Sequence, residues 1–178
     1  MKNLFYPIAF FAFILAFSSC KKNDDLEVWR EANTNAYNEI AKNPLYKALS
    51  TETGPTGVYY KVIKSGTGTE HPFQTSFVKV LYKGTYYDGS VFDAGTSGND
   101  MPIEFDLTGQ NIIRGFSFAL QNMVIGDKWE IWIPYYLGYG AAGYTITDYY
   151  YYSTQTLIKG YTTLVFEIEL VSITQYPK

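Results

Sequence analysis

The stretch Val78 to Asp93, VKVLYKGTYYDGSVFD, constrains the fold more than any other. Val78, Val80 and Tyr82 alternate with Lys79, Leu81 and Lys83. A period of two means a strand with one buried face, because successive side chains point to opposite sides. Asp88-Gly89 then stands between Tyr86-Tyr87 and Ser90-Val91-Phe92. An Asp-Gly pair between β-formers predicts a hairpin with a type I′ turn, whose two central positions both need positive φ. Such a hairpin delivers Phe92 and Asp93 together at the end of its return strand, beside a buried Tyr82. An acid next to a large ring is a candidate for chemistry; the plain alternative is a strand-end aspartate facing solvent.

The first 19 residues read as a signal peptide. Lys2 supplies the positive start, and Leu4 to Phe17 is an uncharged, mostly apolar run of 14 residues. That is short for a membrane span and suited to a signal-peptide core. The run ends in Ser18-Ser19-Cys20. Small residues before the only cysteine resemble a bacterial lipoprotein cleavage site, which implies that Cys20 is lipidated and becomes the first mature residue. The chain is then expected in the bacterial cell envelope, anchored to the outer membrane on its periplasmic or surface face. Lys21-Lys22-Asn23-Asp24-Asp25 reads as a charged tether and resembles lysine-then-acidic export signals of surface lipoproteins.

Leu26 to Leu49 reads as helix, capped by Asp24 or Asp25 and interrupted at Asn43-Pro44, with Leu45, Tyr46 and Leu49 in a second short turn. Trp29, Ala32, Ala36, Tyr37 and Ile40 form one apolar stripe, expected to pack on the chain's own domain. Thr53-Gly54-Pro55-Thr56-Gly57 reads as the boundary between a tether and helical extension (20–56) and a globular domain (57–178).

Within that domain, Val58 to Ile63 reads as a strand and Pro102 to Leu107 as another. Ile112 to Asn122 reads as a helix with Ile112, Ile113, Phe116, Ala119, Leu120 and Met123 on one face. Lys128 to Ile133 and Thr162 to Val171 read as strands, the last with Leu164, Phe166, Ile168 and Leu170 inward. Together these describe an α+β fold, a curved antiparallel sheet half-wrapped around one short helix and preceded by a helical extension.

Several function classes are disfavoured. A net charge of −3 without a basic stripe argues against nucleic acid. His71 is the only histidine and Cys20 the only cysteine, so neither a His/Cys metal site nor a Ser-His-Asp triad is expected. Gly138-Tyr139-Gly140-Ala141-Ala142-Gly143 matches GxGxxG, but Tyr144 to Thr156 has no helical period to receive a pyrophosphate. No cofactor is expected. That same loop holds five tyrosines and one charge, Asp148, a composition suited to contact surfaces.

Five pieces in order resemble the FKBP-type peptidyl-prolyl isomerases. They are Gly57-Val58-Tyr59-Tyr60-Lys61-Val62-Ile63 with Gly66-Thr67-Gly68, Tyr82-Lys83-Gly84 with Asp88-Gly89 and Phe92-Asp93, Ile112-Ile113-Arg114-Gly115-Phe116, Ile133-Pro134 with Leu137-Gly138-Tyr139-Gly140, and Thr163 to Leu170. The resemblance implies isomerisation of X–Pro bonds in proline-containing polypeptides. It implies a cleft formed by Tyr82, Phe92, Asp93, Ile103, Ile112, Ile113, Phe116, Tyr139 and Phe166. Phe116 would be its floor and Ile103 a wall where a Phe is common. Ile113 would offer its backbone N–H to a substrate carbonyl, Tyr139 its hydroxyl, and Asp93 would orient the cleft. Two features depart from the family pattern: the segment Leu157-Ile158-Lys159-Gly160 lacks its prolines, and Ala94 to Asp100 lacks an Arg that often pairs with the cleft Asp. The alternative is a catalytically weak or silent peptide-binding module on the same fold.

Overall fold

The computed structural model describes residues 21–93, 95, 101–109, 112–148, 150 and 153–174. The signal peptide expected over residues 1–19 lies outside the described residues, as do Cys20, Tyr149, Tyr151 and Tyr152. Among these residues two α-helices and nine strands follow in order, with a single 3-10 turn at Tyr135–Leu137 between β6 and β7: α1 (Lys21–Lys42), β1 (Lys47–Thr51), β2 (Gly54–Lys64), β3 (Phe77–Tyr86), β4 (Val91–Asp93), β5 (Ile103–Asp106), α2 (Arg114–Leu120), β6 (Lys128–Ile133), β7 (Tyr144–Asp148), β8 (Ser153–Ile158) and β9 (Leu164–Thr174).

Seven strands form one antiparallel sheet in the order β1-β2-β6-β9-β3-β4, with β5 also paired to β3. The alternation expected from Val78 onward is present. Val78 and Val80 are buried and Lys79 and Lys83 exposed. Strand β9 runs along β3 from Phe77↔Thr174 to Tyr86↔Leu164. Leu164, Phe166, Ile168 and Leu170 of β9 and Trp129, Ile131 and Ile133 of β6 all face the core. Helix α2 packs onto β2 and β6, burying Phe116, Ala119 and Leu120. It lies so close that a Cβ on Gly115 would stand 2.4 Å from Ile133 Cγ2. The sheet therefore curls around one seven-residue helix, shorter than the predicted 112–122 span.

The hairpin after β3 differs from the expected type. The Gly89 N–H donates to the Tyr86 carbonyl at 3.0 Å and the Tyr86 N–H to the Ser90 carbonyl at 2.8 Å. Gly89 has φ 84° while Asp88 does not have positive φ. This is a three-residue loop, a turn followed by a left-handed glycine, rather than a type I′ pair. The single glycine suffices because only its position is left-handed.

The N-terminal region also departs from its prediction. Helix α1 is already running at Lys21, so Asp24 sits in its first turn rather than capping it. It stops at Lys42, before Pro44. Asn43 reverses the chain: its side chain accepts the Leu45 N–H at 3.0 Å and its carbonyl the Tyr46 N–H at 3.0 Å. Residues 47–51 form an edge strand, not a helical turn, and of these only Leu49 is buried. Residues 53–57 make the β1–β2 turn and the start of β2. Glu130 ties this edge down, accepting hydrogen bonds from Tyr46, Lys61 and Trp132.

The predicted stripe of α1 packs on the sheet's own domain. The Tyr37 hydroxyl donates to the Gly57 carbonyl at 2.5 Å, and its ring packs edge-on against Tyr59. Strands β7 and β8 pair antiparallel as a separate two-stranded sheet, with all of their residues but Ile158 exposed.

Candidate active site

The hairpin, β5, α2 and the 135–143 turn converge on one open cleft of about 190 Å³. Its floor is Phe116 and Phe166, 3% and 5% exposed. Their rings meet edge-to-face with centroids 5.1 Å apart. Phe92 stands on Phe166 at 5.5 Å and 87°, and Tyr82 on Phe116 at 5.9 Å and 80°. Edge-to-face contacts of this kind place the positive rim of one ring on the negative face of the next. A rigid apolar box results, held by backbone from four different elements.

Gly84 makes the box possible. It pairs with Phe166 on β9 and Asp93 on β4. A Cβ there would lie 2.6 Å from Phe92 Cζ and 3.0 Å from Phe166 Cε1. Only a residue without a side chain lets both rings approach the sheet.

Asp93 is held at both oxygens. The Tyr82 hydroxyl donates to Oδ2 at 2.9 Å and the Gly95 N–H to Oδ1 at 2.8 Å. Burial pushes the Tyr82 hydroxyl pKa well up, and its bond to the Asp93 carboxylate pushes it further. The Tyr139 hydroxyl is also raised, by burial and then by Tyr144 and Asp93. Both phenols thus stay protonated donors at neutral pH. Tyr139 is further fixed by stacking on Tyr144, centroids 5.2 Å apart and 23° between planes.

Ile113 immediately precedes α2, with extended backbone at φ −67° and ψ 143°. Its carbonyl accepts the Phe116 and Ser117 N–H groups, both at 3.1 Å. Its own N–H stands before the helical ladder.

Eight residues assigned to the cleft on resemblance line it together: Tyr82, Phe92, Asp93, Ile112, Ile113, Phe116, Tyr139 and Phe166. Ile103 does not; it is 39% exposed, and Phe105 supplies that wall instead. Phe105 packs at 5.6 Å from Phe116 and 5.7 Å from Tyr82. The cleft wall is therefore aromatic, not the smaller aliphatic one expected. Alternation along β5 puts Ile103 and Phe105 on one face, and it was this shared face that hid which of them reaches the cleft. The Ala94 to Asp100 loop lies, apart from Gly95, outside the described residues. The GxGxxG run forms a turn that leads into β7, not into a helix. His71 lies away from the cleft, its Nδ1 3.1 Å from the Met123 carbonyl.

The relatives of this chain agree with the geometry. Residues 68–171 match the model of a family described as FKBP-type peptidyl-prolyl cis-trans isomerase. The chain is 38% identical over 124 residues to the FKBP-type 22 kDa peptidyl-prolyl cis-trans isomerase of Escherichia coli, covering 70% of this chain and 52% of that protein. It is 36% identical over 119 residues to the outer membrane protein MIP of Legionella longbeachae, covering 67% and 45% respectively. The chain thus spans about half the length of these curated relatives. A crystal structure of a peptidyl-prolyl cis-trans isomerase from Pseudomonas syringae superposes with a TM-score of 0.66 at 32% identity, over 84% of this chain and 96% of that one. By its cleft, its sheet and a match across residues 68–171, the chain belongs to the FKBP-type peptidyl-prolyl cis-trans isomerase family.

Proposed function

We propose that this protein accelerates cis–trans isomerisation of X–Pro bonds during the folding of exported proteins. The observation that carries this reading is the aromatic box of Phe92, Phe105, Phe116 and Phe166 with Asp93 and Tyr139 at its edge. Rotating an amide costs about 18–20 kcal/mol because resonance is lost at the twisted state. Unaided, an X–Pro bond turns over in about tens to hundreds of seconds. The planar amide is the more dipolar form, so a water-poor apolar cleft favours the twisted one. That is differential binding of the transition state. Tyr139 donates its hydroxyl to a substrate carbonyl, and the Ile113 N–H takes the carbonyl on the other side. Asp93, held by Tyr82 and Gly95, orients the rim. No covalent intermediate is needed.

The test is exchange of a tetrapeptide with an apolar residue before Pro, followed by NMR with the folded chain. Acceleration is expected, reduced by Phe116→Leu and Tyr139→Phe. An unchanged exchange rate would favour the alternative, a peptide-binding module. The exposed β7–β8 hairpin gives that alternative its support, since Tyr144 stacks on Tyr139 and so joins the hairpin to the cleft.

The envelope location rests on the leader, the Ser18-Ser19-Cys20 run and the name of the MIP relative. Acylation of Cys20 anchors the chain in the outer membrane. Mass spectrometry of the membrane fraction should find a lipid-modified N-terminal Cys20. Cys20→Ala recovered in membranes at the wild-type level would remove the anchor from the account.

A further inference from the structure

The most specific contacts of α1 fall on one short segment, residues 159–163, between β8 and β9. Asn33 is fully buried. Its Oδ1 accepts the Thr163 N–H at 2.8 Å, and its backbone carbonyl accepts the Thr163 hydroxyl at 3.2 Å. The Trp29 indole N–H donates to Thr162 Oγ1 at 3.1 Å. The Arg30 guanidinium lies over the Tyr161 ring, 4.8 Å from its centroid. Burying an amide is costly unless its hydrogen bonds are made, so this is a built joint and not a loose apolar contact.

The segment it grips is held in a costly shape. Tyr161 has φ 61°, the only positive value at a non-glycine residue among those described. Its N–H donates to the Gly140 carbonyl at 3.0 Å, and its ring packs on Tyr135 at 5.2 Å. A Cβ on Gly160 would lie 1.9 Å from the Ala141 carbonyl oxygen. Segment 159–163 is therefore pressed, backbone on backbone, against the turn that carries Tyr139. A second route leaves the same helix. Trp29 packs edge-on against Tyr86 at 5.7 Å, and Tyr86 against Phe92 at 5.2 Å.

We infer that α1 is a working part of the cleft, with Asn33 a positioning residue that sets Tyr139 through the 159–163 segment. Trp29 grips the same segment and backs Tyr86 behind Phe92. The strained Tyr161 conformation is what the helix sustains, since strain persists only where surrounding contacts over-determine it. A spacer helix would leave the cleft indifferent to its removal; this one does not. The role rests on the isomerase reading for its effect on rate, but not for its effect on Tyr139 itself.

The test uses the full chain, tetrapeptide exchange and the ring resonances of Tyr139. Asn33→Ala, measured well below its unfolding midpoint and corrected for the folded fraction, should lower kcat/KM by about tenfold and shift those resonances. Tyr139→Phe, expected to lower the rate in the wild-type background, should cost about twofold or less in the Asn33→Ala background, because both changes remove one device. Should Asn33→Ala not fold, Arg30→Ala takes its place with the same pattern at smaller size. Unmoved Tyr139 resonances in the folded variant, or two losses that simply multiply, would overturn the inference. Moved resonances in a chain that never accelerates exchange would support the positioning and remove the isomerase reading instead.

Discussion

Tyr82 and Asp93 sit across the β3–β4 hairpin from one another, and the phenol O–H donates a hydrogen bond to the carboxylate at 2.9 Å. The pair sets the rim of the cleft, and the Tyr82 ring, which a phenylalanine would keep, stands on the Phe116 floor. Tyr82→Phe should therefore leave the aromatic box assembled while freeing one Asp93 oxygen. We expect kcat/KM for a tetrapeptide to fall by about three- to tenfold, with loss of stability of about 1 kcal/mol for the missing hydrogen bond. Paired exchange and denaturant titrations check both. A larger stability loss with unchanged activity would make the bond structural only.

A glycine-to-alanine change at position 84 tests the box from beneath. The new Cβ would stand 2.6 Å from Phe92 Cζ, so the ring must swing into the cleft. Overpacking of this kind costs about 1–3 kcal/mol. Peptide binding should be lost before folding is. Retention of full activity in Gly84→Ala would mean that Phe92 relaxes elsewhere.

The buried phenols predict an alkaline limit to stability. Tyr37 and Tyr82 have raised pKa values, each chiefly through burial; Tyr136 adds to the first and Asp93 to the second. Each folded-state pKa lies above the unfolded value, so the folded chain holds the proton more tightly. The stabilisation is complete below about pH 10, the ordinary tyrosine value, and is lost as pH climbs through the folded pKa. Unfolding midpoints should fall steadily above about pH 10, and Tyr37→Phe should flatten that slope. An identical slope in the variant would assign the effect to other groups.

The β7–β8 hairpin predicts a split between large and small substrates. Ile146, Tyr150 and Leu157 are exposed on it, Tyr150 at 83%. Tyrosine-rich loops add contact area at low entropic cost. Replacing Ile146 and Tyr150 with Ser should weaken binding of an unfolded protein client severalfold. Isomerisation of a tetrapeptide should stay within about twofold, since it is too short to reach them. Equal losses on both substrates would instead show that the hairpin shapes the cleft.

Much of this fold was legible in the sequence because its signals are local. The period of two in Val78 to Tyr82 and in Leu164 to Leu170 needs no partner to be seen. The stripe of α1 was visible for the same reason. What was hidden depends on register and on distant neighbours. Leu45, Tyr46 and Leu49 have helix-like spacing, yet Pro44 and the Asn43 turn place Leu49 on an edge strand. The exchange of Ile103 for Phe105 in the cleft is settled by how β5 lies on β3, with Phe105 opposite Val78. The three-residue loop at Asp88-Gly89 follows from the Tyr86–Ser90 pairing, which the dipeptide alone does not specify. Gly84 carried a signal that could have been read: a glycine inside a strand marks close approach. The two rings that require the gap come from strands far apart in the chain, β4 and β9, which flank Gly84 only in the folded sheet.

Strand β9, the last of the described strands, lies in the middle of the sheet, with β6 on one side and β3 on the other. Until it arrives, the earlier strands form two separate patches, β1-β2-β6 and β3-β4-β5, with facing edges unpaired. Synthesis delivers a chain from its N-terminus, so the sheet must wait for Leu164–Thr174 before it can close. During that wait two open edges are available to wrong partners. Closure of this sheet is thus a late event in the folding of the chain. A chain ended before Leu164 should show no cooperative unfolding transition, and one that did would refute this dependence.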